Sequence, residues 1–408
     1  MLLSGEAILT VSAEEGSWIS ALLPVGALLG APITGKIADT IGRKYTLLSQ
    51  GILLLLSWIL ILTGESVYLL YVARLLAGIS VGVSTSVSPM YISEIAEEDL
   101  KGSLCSYTQL MLVSGVLYGY AVGAFFSYRT MAILCELIPI VFLLSFVGAP
   151  ESPVYSLWLG RRREAERSLA RLRGGSDRIL GELVSLEYKF VLKTGALCVS
   201  LMACQQFSGI NVVIFYCTAI FTEAGGGLVA PGYASLMVGA TQVLASYFST
   251  VLLHHVGRKP LLIASSSLMG ISLMILGAYF NQKSYAASMP WLYWVPLIVV
   301  NLYVAAFSLG LGAVPFVVLG EILPAETKGV VSGLSVAVNW ATAFVVVKSF
   351  DSLNTALGSD WTYWIFGILC VIMTLFFKMC MVETRGKSLE TIREELSSDY
   401  RSTGYVGI

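Results

Sequence analysis

Apolar residues in this chain do not alternate with polar ones. They run on, in stretches long enough to cross a bilayer, for which a helix needs about 20 mostly apolar residues. The pattern predicts eleven spanning helices, over roughly 18–37, 45–63, 67–92, 104–126, 130–148, 195–221, 233–253, 261–280, 291–319, 330–350 and 361–382. Many contain Gly or Pro, which membrane helices tolerate. Gly115, Gly119 and Gly123 recur at four-residue spacing in the fourth span, and Gly78 and Gly82 in the third. Both rows are expected to let helices approach closely. Between the fifth and sixth spans, 149–193 is the only sizeable polar insert, and RRREAERSLARLRGG there predicts an amphipathic helix ending at Gly174–Gly175. It is expected to pack beneath the bundle as a solvated helix rather than to bind nucleic acid or anionic lipid.

Composition agrees with lipid as the solvent. The 408 residues are 56% hydrophobic and 12% charged, against about 25% charged in soluble domains. That excludes ordinary soluble enzymes, secreted domains and disordered scaffolds. A formal net charge of -1 leaves no basic excess for nucleic acid. The seven cysteines sit mostly inside apolar runs, as small buried thiols, and none has metal-ligand spacing with histidine. Basic residues cluster after odd-numbered spans: Arg43, Lys44, Lys101, the 161–173 arginines, Arg258, Lys259, Lys328, Arg385 and Lys387. The positive-inside rule puts those loops in the cytoplasm, with the C-terminus inside and the N-terminus outside.

The loops repeat. GKIADTIGRK (35–44) and HHVGRKP (254–260) follow the first and seventh spans. Glu94–Lys101–Gly102 and Glu321–Lys328–Gly329 share one spacing after the third and ninth, and PESP (150–153) and VETRG (382–386) follow the fifth and eleventh. Such a parallel repeat of helix sets is a transporter architecture. It divides the chain into a five-span bundle (1–148), a cytoplasmic helical linker (149–193), a six-span bundle (194–382) and a cytoplasmic tail (383–408). The loop charges Asp39, Arg43, Lys44, Glu94, Lys101, Glu151, Glu321, Lys328 and Glu383 are gating candidates: ion pairs between helix ends would hold the cytoplasmic side shut in one state and break in the other. The alternative role is to anchor helix ends.

These motifs, together with RLLAGISVG (74–82), PMYISEI (89–95), QQFSGIN (205–211) and GLGAVPFVVLGEILP (310–324), identify a resemblance to the sugar porter family of the major facilitator superfamily over essentially the whole chain. Within it, FSLGLGAVP (307–315) and NWATAFVVVKSF (339–350) are most similar to the facilitated trehalose transporters of insects. The resemblance implies an all-α polytopic membrane protein with two parallel-repeat bundles. It also implies a full helix before residues 14–31, where only Met1–Ala13 stand here, so the family's first helix is expected to be missing.

Sugar binding calls for groups that both donate and accept, with aromatic rings over the apolar sugar face. The resemblance implies that Gln205, Gln206 and Asn211 bind sugar, with Gln242, Asn339, Trp340, Phe316 and Tyr120 as further contacts and Tyr216 at the outer gate. On a straight helix Gln206 and Asn211 would point about 140° apart, so Ser208–Gly209 is expected to loosen the helix. Ser308 and Phe316 replace the Glu and Trp of glucose facilitators, and Tyr120 and Gln242 replace their Gln and Asn. Lys101 and Lys328 stand where the family has Arg, which predicts weaker pairing with Glu94 and Glu321.

The expected function is movement of trehalose or a hexose across the plasma membrane by alternating access and facilitated diffusion. Proton-coupled sugar symport, and a truncated, non-transporting membrane protein or sugar sensor, are the rivals. No catalytic set, metal, cofactor or obligate protein partner is implied, and no GxxxxGK[ST] loop is present for ATP. The partners are the sugar and the bilayer.

Overall fold

The computed structural model describes residues 12–64, 66–97, 100–173, 188–224, 230–282, 290–323, 325–387 and 391–392. The expectation about a missing first helix rests on residues 1–11, which lie outside that set, as do the Gly174–Gly175 helix end and most of the tail.

Every regular element among the described residues is helical. In order they are α1 (Ala13–Ile41), α2 (Arg43–Thr63), α3 (Val67–Ile95), α4 (Lys101–Phe125), α5 (Tyr128–Phe146), α6 (Pro153–Trp158), α7 (Arg162–Arg173), α8 (Tyr188–Phe207), α9 (Ile210–Phe215), α10 (Cys217–Ala224), α11 (Pro231–His255) and α12 (Arg258–Asn281). A 3₁₀ turn (Pro290–Trp294) then leads into α13 (Val295–Leu309), α14 (Val314–Ile322), α15 (Ala325–Leu357) and α16 (Ser359–Cys380). Among the described residues, eleven segments are long and apolar enough to cross a membrane. Two are composite: α8–α9 form the sixth and α13–α14 the ninth. The apolar pattern reads each as one run; the loosening expected at Ser208–Gly209 falls at the break in the sixth, whereas the break in the ninth was not expected.

The burial pattern is that of a lipid-solvated protein. Leu144, Val141, Leu244 and Ile298 lie on the outside, each more than 60% exposed, while Thr34, Ser57, Ser80 and Ser86 are buried. The buried hydroxyls are paired, as with Ser57 Oγ on Ala73 O (2.8 Å) and Ser80 Oγ on Gln50 Oε1 (2.7 Å). Each supplies a partner that hydrocarbon cannot.

Within the first five spans, α3 packs against α1 and α2, and α2 against α5. Small residues set the α1–α3 distance: a Cβ on Gly78 would lie 2.2 Å from Leu23 O, and one on Gly82 2.3 Å from Ala27 O. The glycine row of the fourth span behaves otherwise. Nothing lies within 4 Å of a Cβ at Gly115 or Gly119, and only Met131 Sδ (3.8 Å) near Gly123. Spacing creates a bare face, but only a neighbour makes it a contact. The two halves of the chain meet mainly along α1–α15 and α4–α11.

Candidate functional site

The sixth span breaks where the sequence allows it. Gly209 adopts φ +85°, in the left-handed region, where a Cβ is costly. A break inside a membrane leaves backbone groups without helix partners, and these need protein partners. Tyr303 donates to Ser208 O (2.9 Å), Tyr120 to Ile214 O (2.7 Å) and Ser208 Oγ to Gln205 O (2.7 Å). The ninth span opens over residues 310–313. There Ser265 Oγ accepts from Leu311 N (3.1 Å), and Gln205 Nε2 donates to Leu311 O (2.9 Å) and Gly312 O (3.2 Å).

From that point a directed chain of amides runs back to the first break. Asn339 Nδ2 donates to Gln205 Oε1 (2.8 Å) and Met202 O (2.9 Å). Gln206 Nε2 donates to Asn339 Oδ1 (2.9 Å), and Asn211 Nδ2 to Gln206 Oε1 (2.7 Å). The break therefore does what the sequence requires: it turns Asn211 back toward Gln206. Counting donors and acceptors separates the four. Both N–H groups of Asn339 are engaged and its oxygen accepts from Gln206. Gln205 is held at both ends. Asn211, half-buried, keeps one N–H and its oxygen, and Gln206 keeps one N–H.

The other sugar-site expectations are not joined to this chain by hydrogen bonds. Trp340 Nε1 donates to Thr85 Oγ1 of α3 (3.3 Å), crossing between the halves. Tyr120 covers the break. Phe316 lies in the large core cluster. Gln242 is 1% exposed, and neither atom of its amide has a hydrogen-bond partner among the described residues. Ser308 Oγ is buried in the same condition.

The arginine-rich side carries two matching charge clusters. In the first half, Arg43 Nε lies 3.1 Å from Glu94 Oε2 and Arg43 Nη1 3.1 Å from Asp39 Oδ1. Ser152 donates to Glu94 (2.5 Å). Glu151 accepts from the backbone N–H groups of Arg43 (3.0 Å) and Lys44 (3.1 Å), where a helix start favours an anion. In the second half, Arg258 Nη2 meets Glu321 Oε1 (2.5 Å), Thr384 donates to Glu321 Oε2 (2.9 Å), and Glu383 accepts from Arg258 N (2.9 Å) and Lys259 N (3.2 Å). Tyr155 donates to Thr40 O (3.0 Å). Burial, then the Glu151 carboxylate, keep its phenol above the ordinary range, so it stays a donor.

Arg43 pairs within its own half: its two acid partners stand on α1 and α3. The halves meet instead through the glycines of the repeat. A Cβ on Gly329 would lie 3.0 Å from Asp39 Oδ2, and one on Gly102 2.6 Å from Arg258 Nη2. Each repeat's glycine thus seats against the other half's charge cluster. Gly35 faces Gly329 O at 2.4 Å measured the same way. Lys328 Nζ crosses to Ser93 Oγ (2.7 Å) and also holds Gly320 O (2.9 Å). The side chain of Lys101 lies outside the described residues. Ser152 and Thr384 escaped the sequence reading, although a hydroxyl follows the Glu in both PES and VET.

On the opposite side, Tyr216 donates to Asp351 Oδ2 (2.9 Å) and packs on Phe350. Lys348, one turn before Asp351, donates to Ser17 Oγ of α1 (3.1 Å) and lies 4.4 Å from the Trp18 ring centre. No role was expected of Asp351, Lys348 or Trp18, although Lys348 lies within NWATAFVVVKSF. One is a charge inside an apolar run, which by itself marks a candidate.

Comparison with known proteins follows this geometry. The family described as "Sugar (and other) transporter" matches residues 6–396. The chain is 33% identical to the facilitated trehalose transporter Tret1 of Apis mellifera ligustica, over 97% of this chain and 82% of that one. It is 32% identical to Tret1 of Bombyx mori, over 96% and 81%. Among solved structures it is similar to the xylose transporter XylE from E. coli in a partially occluded inward-open conformation, with TM-score 0.75, 26% identity and coverage of 93% and 91%.

Proposed function

The chain belongs to the sugar transporter family, with the all-helical major facilitator fold, and from that premise we propose that it carries a disaccharide or hexose down its gradient by alternating access. Trehalose is the favoured sugar, because the curated relatives at 31–33% identity are named for it. The observation that carries the reading is the amide chain Asn211–Gln206–Asn339–Gln205 across two broken spans. Asn211 and Gln206 offer the sugar their free donor and acceptor positions. Gln205 and Asn339 orient them and cover the broken backbone. Gln242, with an unpaired buried amide, and Ser308 are further contacts, and Trp340 bridges to Thr85 of the other half.

The bundles 1–148 and 194–382 rock about this site. The arginine-rich side faces the cytoplasm, and its closed seam is Gly35–Gly329, Gly329–Asp39, Gly102–Arg258 and Lys328–Ser93. Opening it exposes the sugar inward, while Tyr216–Asp351 and Lys348–Ser17 act on the outer side. The charge clusters hold the loops of each bundle rigid, so the bundles move as bodies. No bond in the sugar is made or broken, and no cofactor is used. The membrane is the plasma membrane.

The test is uptake of radiolabelled trehalose and glucose into proteoliposomes. Saturable uptake that ignores an imposed proton gradient and disappears with Gln206→Leu and Asn211→Leu is expected. Uptake unaffected by both substitutions would refute the site assignment. Dependence on the gradient would turn the mechanism to symport.

A further inference from the structure

Between the first turns of α1 and α3, on the side away from the arginine-rich loops, lies a cavity of about 370 Å³ lined chiefly by Glu14, Glu15, Trp18, Tyr68 and Tyr71. Its size falls in the about 300–1,000 Å³ range of small-molecule sites. It belongs to neither the amide chain nor the charge clusters.

The chemistry of the lining is specific. Glu15 is committed to the helix start: its carboxylate accepts from Ser12 N and Ser12 Oγ (both 2.8 Å) in a capping box. Glu14, one residue earlier, is exposed and makes no hydrogen bond or ion pair among the described residues. Tyr68 is 78% exposed and packs edge-on against Tyr71. Aromatic residues at a helix end often form a belt facing lipid headgroups. These three rings instead share a cavity with two carboxylates, a combination that repels phosphate.

Trp18 adds a second, independent feature. Lys348 of α15 lies over its ring at 4.4 Å and bonds the neighbouring Ser17. One wall of the cavity is therefore pinned to the other half of the protein. The ammonium also bears on the class of ligand. An organic cation seated beside Trp18 would meet the like charge of Lys348. A neutral polyhydroxyl compound meets no such repulsion: its C–H faces stack on Tyr68 and Tyr71, and vicinal hydroxyls donate to the free Glu14 carboxylate.

We propose that this cavity is a second carbohydrate-binding subsite, at the outer mouth of the transporter, formed by Trp18, Tyr68, Tyr71 and Glu14. It holds sugar ahead of the central site, and the Lys348 contact couples its Trp18 wall to the movement of α15. The proposal rests on the sugar-transporter reading above.

Saturation-transfer NMR on the detergent-solubilised full chain, with trehalose and glucose as probes, tests it. With the central amides removed by Gln206→Leu and Asn211→Leu, saturable transfer to sugar is expected to persist. Adding Glu14→Gln and Tyr68→Ala should abolish it, with an unchanged melting temperature as the check on folding, since both side chains are exposed. Loss of all transfer in the central-site variant would overturn the proposal. So would transfer that survives Glu14→Gln and Tyr68→Ala, or saturable binding of tetramethylammonium that displaces sugar from the cavity. Wild-type protein that neither binds nor transports either sugar would overturn the functional reading itself.

Discussion

Gly35→Ala adds one methyl group at the seam between the halves. The new Cβ would stand 2.4 Å from Gly329 O, 2.7 Å from Gly329 C and 3.2 Å from Val330 N, all backbone atoms of α15. Ordinary carbon contacts fall at about 3.5–4.0 Å, so α1 and α15 must part by about 1 Å. No side chain can swing aside to absorb the overlap. Overpacking of this kind costs about 1–3 kcal/mol. In a transporter that opens on this side, only the closed state bears the cost. The equilibrium is therefore expected to move about 5–150-fold toward the open form. Spin labels at Ile41 and Val330, both exposed, in a background with the seven cysteines replaced, read the separation directly. A longer distance and slower sugar exchange are expected. Gly78→Ala is the control: its Cβ would lie 2.2 Å from Leu23 O, inside the first half. Both states bear that clash, so stability should fall without a shift in state. An unchanged Ile41–Val330 distance in Gly35→Ala, with normal exchange, would refute the seam.

Further outcomes follow from the same geometry. Gln206→Leu or Asn211→Leu should each weaken sugar binding, by about 2–13-fold per lost hydrogen bond, measured by equilibrium binding. Gln205→Leu and Asn339→Leu should instead lower the melting temperature, since each strands buried polar partners at about 1–3 kcal/mol. Arg43→Met should destabilise by about 3–5 kcal/mol, because Glu94 is left buried without its cation, and adding Glu94→Gln should recover part of the loss in thermal unfolding. Lys348→Met removes a contact worth about 0.5–2 kcal/mol. It should widen the Val72–Thr355 label distance on the side opposite the arginines; an unaltered distribution would exclude Lys348 from the outer gate.

The location of the two clusters was legible because charge is rare in this chain. A Glu or Arg inside an apolar sequence has few places to go, and the repeated spacing of Glu94–Lys101–Gly102 and Glu321–Lys328–Gly329 matched like with like. What each charge touches was only partly legible. Arg43 reaches Glu94 and Asp39 in its own half, and the glycines, not the ion pairs, form the seam. Sequence repeats show equivalence between halves, whereas contact between them depends on how the helices are laid side by side. The same limit explains the glycine rows. Gly78 and Gly82 meet α1, while Gly115 and Gly119 meet nothing within 4 Å, although both rows have one spacing.

By itself the sequence determined the solvent, the spanning segments among the described residues, the repeated loop motifs and the amides that gather at the break in the sixth span. Those properties depend on composition, period and local backbone chemistry, including the positive φ at position 209 that a glycine adopts comfortably. Tertiary structure decided the division of labour among the amides. Gln205 and Asn339 became supports because a second span, broken at 310–313, lies beside the first and has carbonyls to be satisfied. Lipid supplies no hydrogen bonds, so a break in one helix recruits side chains from another, and no reading of one segment alone contains that neighbour.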